Sequence, residues 1–142
     1  MLVEQNGSIQ SVPGALNSTC IVEASINGQE VLVEASYAEL RIWKKQAGIW
    51  KLSHNVQDFY APIKSLEVDG TGTIWASHMY NGLYRIKLDD DLHRIKDLEH
   101  IHTLGGKQKS GKIHVMKIRG RIVFPIQKDI SCTMISNGNQ AL

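Results

Sequence analysis

Short apolar runs separated by turn residues set the rhythm of the chain. Thr19 to Ile26, Val31 to Ser36, Leu40 to Lys44 and Ile49 to Ser53 are four such runs, and Ile63 to Val68, Thr73 to His78, Leu83 to Leu88 and Leu92 to Lys96 repeat them. Val, Ile, Leu, Tyr and Trp fill most of the apolar positions, as expected of a pleated, half-buried surface. The runs are punctuated by Asn27-Gly28, Ala47-Gly48, Asp69-Gly70, Asn81-Gly82, Gly105-Gly106 and Arg119-Gly120. Asn-Gly and Asp-Gly suit hairpins whose two central residues need positive φ. Apolar spacing of helical period is scarce. It recurs only between Asp89 and His102, at Leu92, Ile95, Leu98 and Ile101. There the Asp89-Asp90-Asp91 cluster predicts a turn, followed by an outer strand and an irregular link. The pattern as a whole predicts an all-β chain.

The runs stack as a repeat. Two sets of four strands are followed by Lys112 to Ile118, Ile122 to Ile126 and Ser131 to Ile135, three strands of a third set. Leu2 to Gln5 and Ile9 to Val12 flank Asn6-Gly7 and read as the last hairpin of a preceding set. The second strands begin near Val31, Thr73 and Ile122, a spacing of about 40–50 residues, the length of one four-stranded propeller blade. Val31-Leu32-Val33 and Ile122-Val123-Phe124 are apolar on both faces, as strands buried between blades should be. Trp50-Lys51-Leu52-Ser53-His54 and His93-Arg94-Ile95-Lys96 alternate and are expected at a wetter outer rim. The expected architecture is an incomplete β-propeller of antiparallel four-stranded blades. Residues 1–14 would end one blade, 15–57 and 58–106 would each form a blade, and 107–142 would form part of another. Closed propellers use about four to eight blades, so this chain would not close a ring alone. Its terminal faces would be covered by further blades of a parent chain or by another copy of itself.

Composition narrows the function classes. A net charge of +2 and 21% charged residues give no basic footprint for nucleic acid. Lys44-Lys45 and the trio Lys107, Lys109 and Lys112 read as solvated turns or edges. Cys20 and Cys132 lie far apart without metal-ligand spacing, and each is expected as a buried free thiol. Met1-Leu2-Val3-Glu4 lacks the basic start and apolar core of a secretory leader, so none is expected in this segment, and no apolar run approaches the roughly 18 residues that span a bilayer. No direct membrane contact is therefore expected of this segment.

The stretch Asp69-Gly70-Thr71-Gly72-Thr73-Ile74-Trp75-Ala76-Ser77, followed by Asn81-Gly82-Leu83-Tyr84-Arg85-Ile86, resembles the two-component regulator propeller repeat. The match covers the middle blade. The first blade has Ala38-Glu39 where Asn-Gly would stand, and the third lacks the Trp. The resemblance implies the periplasmic sensor region of a bacterial hybrid two-component regulator, anchored to the membrane through its parent chain and in many members responsive to a carbohydrate fragment. Any histidine kinase activity would belong to that parent.

Candidate ligand contacts are Trp75, Tyr80 and Asn81. Trp75 could stack on a sugar ring or pack against the next blade, and Tyr80 and Asn81 lie in a rim loop where a ligand could dock. Trp43 and Trp50 are expected to pack the first blade's outer hairpin. His100 and His102 share a strand face but lack a third metal ligand. Asp89-Asp90-Asp91 lacks the spacing of a calcium loop, and Asp69-Gly70-Thr71-Gly72 lacks the Lys and helix of a phosphate loop. No catalytic constellation, metal site or cofactor is expected. The expected function is a non-catalytic ligand-sensing segment with an oligosaccharide ligand. The alternatives are a fragment of a propeller enzyme acting on polysaccharide, which needs converging carboxylates, and a protein-binding scaffold propeller.

Overall fold

The computed structural model describes residues 17–101 and 114–123 with their side chains, and beyond these the backbone of the flanking strands. β1 (Leu2–Gln5) and β2 (Ser8–Ser11) form a two-stranded hairpin. β3 (Ser18–Ile26), β4 (Gln29–Ser36), β5 (Leu40–Gln46) and β6 (Ile49–Asn55) form the first four-stranded sheet. β7 (Ile63–Val68), β8 (Ile74–His78), β9 (Leu83–Leu88) and β10 (Ile95–Ile101) form the second. After β11 (Thr103–Leu104) and β12 (Lys107–Gln108), a third sheet contains β13 (Met116–Ile118), β14 (Arg121–Pro125), β15 (Cys132–Ser136) and β16 (Asn139–Ala141).

Each sheet is an antiparallel meander whose spatial order is its chain order. These are blades of a propeller that the chain does not close. At the Asn27-Gly28 turn both central residues take positive φ, 52° and 76°, the geometry that matches hairpin twist. Ala47 and Gly48 do the same, at 51° and 78°.

Burial explains the stacking. Val31, Val33, Ala35 and Ile42 of the first blade pack against Ile63, Leu66, Ile74, Ala76 and Ile86 of the second. β3 and β7 lie side by side where the blades converge, tied by Thr19 Oγ1 donating to the Ile63 carbonyl at 2.6 Å. The second blade meets the third through Trp75, Leu83, Val115 and Ile122. Ser65 Oγ also accepts from the Val115 amide at 3.0 Å, and Lys117 Nζ donates to the Val68 carbonyl at 2.9 Å.

Three details depart from the sequence reading. The second blade's outer strand runs Ile95–Ile101 rather than Leu92 to Lys96. Leu92 is buried at positive φ, 62°, and its amide closes a turn onto the Asp89 carbonyl at 3.0 Å, so no strand can begin there. The third sheet has a short fourth strand, β16, paired with β15. The outer strands are also wetter than simple alternation implies, since Leu52 and Leu98 are exposed and Trp50 alone is buried on β6. Cys20 is a free, half-buried thiol; burial, the main cause, pushes its pKa up, against a lowering pull from the Leu66 backbone. The side chains of Cys132, His102, Lys107, Lys109 and Lys112 lie outside the described residues.

Candidate functional site

Alternating strand direction puts three connections at one end of the first two blades: 37–39 after β4, 56–62 after β6 and 79–82 after β8. Backbone bonds stitch them together. The Ala61 amide donates to the Ala38 carbonyl at 3.1 Å, Val56 to Leu40 at 2.9 Å and Met79 to Pro62 at 2.9 Å. Each connection presents a tyrosine to solvent: Tyr37 is 61%, Tyr60 81% and Tyr80 69% exposed. Tyr37 and Tyr80 occupy the corresponding loop of adjacent blades. With Lys64 and Met79 they line a cleft of 340 Å³.

The loop bearing Tyr80 is held from beneath. His78 Nδ1 accepts from the amides of Tyr80 and Asn81, both at 3.0 Å, so that nitrogen carries no proton. The His78 amide donates to the Gly82 carbonyl at 3.1 Å. His100 Nε2 donates to the Asn81 carbonyl at 2.8 Å, and its ring stacks on Tyr84 with centroids 4.1 Å apart. Burial pushes the Tyr84 phenol up. The cleft wall is thus a short loop with its backbone donors and acceptors engaged.

A polar cluster lies at the same end of the first blade. Glu34 is fully buried; it accepts from Trp43 Nε1 at 2.6 Å, from Arg41 Nη1 at 3.4 Å and from Ser18 Oγ. Arg41 Nη2 also binds Glu39 at 3.1 Å, and Asn55 Nδ2 donates to the other Glu39 oxygen. One guanidinium therefore holds both carboxylates. At the opposite end, a 390 Å³ groove is lined by Asn27, Thr71, Lys87 and Lys96. There Asn27 Nδ2 donates to the Asp89 carbonyl and Thr71 Oγ1 to Asp69.

Of the candidates named from sequence, Tyr80 lines the cleft and Asn81 stands exposed beside it in the same loop. Trp75 is corrected. It is 2% exposed, packs against the third blade and donates from Nε1 to Asp69 Oδ2 at 2.9 Å, so its ring is not offered to a ligand. Sequence reasoning missed Tyr37, Lys64 and Met79. Tyr37 could have been found by carrying the position of Tyr80 back one blade. Among the described residues no group of three or more His, Cys, Asp or Glu side chains could hold a metal ion, and no helix is long and apolar enough to cross a membrane.

No protein-family model matches the chain, and no curated protein matches its sequence. Among solved structures the chain is similar to an engineered GH43 glycoside hydrolase that displays both endo-xylanase and exo-arabinofuranosidase activity, with a TM-score of 0.52 and 13% sequence identity. The match covers 86% of this chain and 26% of that one. At such identity the likeness is one of fold, that of a β-propeller.

Proposed function

We propose that this chain is a non-catalytic, carbohydrate-responsive segment of the extracytoplasmic propeller of a bacterial two-component regulator. The observation that carries the binding part is the placement of Tyr37 and Tyr80, exposed in corresponding loops of adjacent blades on a 340 Å³ cleft. Pyranose rings present apolar C–H faces, and rigid aromatic rings meet such faces at little conformational cost. The signalling context rests on the resemblance of Asp69 to Arg85 to the regulator propeller repeat. In this reading other blades of a parent chain, or another copy of this one, complete the ring. The parent anchors it to the membrane and supplies any kinase.

Non-catalytic binding is supported by the carboxylates nearest this end. Glu34 is buried and Glu39 is held by Arg41 and Asn55, whereas glycoside hydrolysis needs two carboxyl groups facing one bond. The fold likeness to a glycoside hydrolase keeps a second reading, a fragment of a polysaccharide-acting enzyme. Calorimetric titration of the 142-residue chain with a panel of plant-polysaccharide oligosaccharides separates the two. Saturable binding without turnover, weakened by Tyr80→Ala, supports the sensor. Reducing-end release supports the enzyme. Absence of any binding by the folded chain removes the binding claim.

A further inference from the structure

The cleft contains a charge that has no ion-pair partner among the described residues. Lys64 sits on β7, where Ile63 pairs with His78 and Ser65 with Ser77, so Lys64 is the extra residue of a β-bulge. Bulges re-aim the side chain of the extra residue, and here it lines the cleft between Tyr37 and Tyr80. The first blade has the same irregularity at the same place, with Thr19 as the extra residue between Ser18 and Cys20. Thr19 turns its hydroxyl inward onto the carbonyls of Ala35 and Ile63, at 3.1 and 2.6 Å. A short residue closing on the backbone therefore satisfies this bulge, and nothing in the fold calls for a lysine.

Lys64 is half-buried. The ion pairs among the described residues belong to Arg41 and Arg85, and none involves Lys64. Glu39, the acid on the facing loop, is already neutralised by Arg41. The other cleft residues, Tyr37, Met79 and Tyr80, are uncharged. An ammonium on a cleft that two tyrosines also line is suited to a carboxylate on a ring that those side chains hold.

We infer that the cleft takes an acidic saccharide, a uronic-acid-bearing oligosaccharide whose carboxylate meets Lys64 while its ring lies against Tyr80 and Tyr37. This rests on the carbohydrate-binding reading above and adds the charge of the ligand.

The test compares an oligogalacturonide with the neutral galacto-oligosaccharide of equal length, titrated into the wild-type chain and into the Lys64→Met and Tyr80→Ala variants. The acidic sugar should bind wild type roughly tenfold tighter or more, from one charge-assisted hydrogen bond, and added salt should erode the advantage. Lys64→Met keeps the aliphatic stem and should remove the advantage without weakening the neutral sugar. Tyr80→Ala should weaken both. If both sugars bind wild type equally and Tyr80→Ala weakens both, the acidic preference is wrong and the binding reading survives. If neither binds, both fall. Should Lys64→Met fail to fold, the wild-type preference and its salt dependence decide the matter.

Discussion

His54 on β6 and His93 in the turn before β10 stack face to face across the boundary between two blades, their ring centroids 3.7 Å apart and their planes 8° from parallel. His54 Nε2 donates to the Leu92 carbonyl, and Nδ1 accepts from Ser53 Oγ, both at 2.8 Å. His93 Nδ1 donates to the Asp91 carbonyl at 2.8 Å. The same turn bonds to the first blade through the Gln57 amide on the His93 carbonyl at 2.7 Å and Arg94 Nε on Gln57 Oε1 at 3.1 Å. It acts as a clasp between blades, and a charge on the His93 ring disfavours one on His54.

The clasp predicts a stability that falls in mild acid. Burial is the main cause holding the His54 imidazole below its usual range; the Leu92 carbonyl and Asp89 oppose it, while His93 and Lys44 add to it. The unfolded imidazole takes its proton near pH 6.5, so just below that pH the unfolded chain binds more protons than the folded one. The contribution is complete above about pH 6.5 and is lost as pH falls through the folded value. Asp89 acts in a separate, lower window. The amides of Arg94 and His93 hold its carboxyl below the usual range, and its contribution fades only below about pH 4. Melting temperatures taken between about pH 7.5 and 5.5 should decline, and less steeply in His93→Phe, which keeps a ring but carries no charge. Identical slopes in the two proteins would sink the assignment.

Glu34 should be the costliest carboxylate to remove. Glu34→Ala leaves the buried Trp43 N–H without its acceptor and takes a partner from the half-buried Ser18 hydroxyl and from Arg41. Arg41 keeps Glu39, and the buried Trp43 donor left unsatisfied costs about 1–3 kcal/mol. Urea unfolding should show this, and a loss under about 1 kcal/mol would mean that solvent already reaches the cluster.

Asp69 organises the turn that carries the repeat signature. Its Oδ1 accepts from the Thr71 amide at 2.8 Å and the Thr73 amide at 3.1 Å, while Oδ2 takes the Trp75 N–H. Asp69→Ala should destabilise by about 2 kcal/mol, from the unsatisfied buried donors. Trp75 fluorescence should shift to the red as the indole loses its seat. An unshifted spectrum with unchanged stability would contradict the role.

Gly82 allows the loop beneath Tyr80 to close. Its φ is 78°, and an added Cβ would stand 2.5 Å from the Ile101 carbonyl oxygen. Gly82→Ala should cost roughly 2 kcal/mol and weaken saccharide binding by displacing Tyr80. Native stability together with native affinity would show that the loop is not seated as described.

Regular alternation and turn pairs made most blade edges legible, because a hairpin's turn chemistry is local. The outer strand of the second blade was displaced because Leu92 looks like a strand residue until the turn onto the Asp89 carbonyl claims it and buries its side chain. Tyr80 was legible beside Asn81-Gly82. Tyr37 was legible only by carrying that position back one blade, because Ala38-Glu39 carries no turn signal of its own. The clasp histidines belong to different blades and share no local pattern.

By itself the sequence determined most of the strands, their grouping into blades and the double-faced burial of the second strands of the first two blades, since period and composition act over a few residues. Tertiary structure decided which neighbour covers each face. Ile74-Trp75-Ala76 is apolar throughout, and only blade stacking turns Trp75 away from solvent and onto Val115 and Ile122. It also decided that Lys64 would be the extra residue of a bulge, because register is a property of two strands and is written in neither alone.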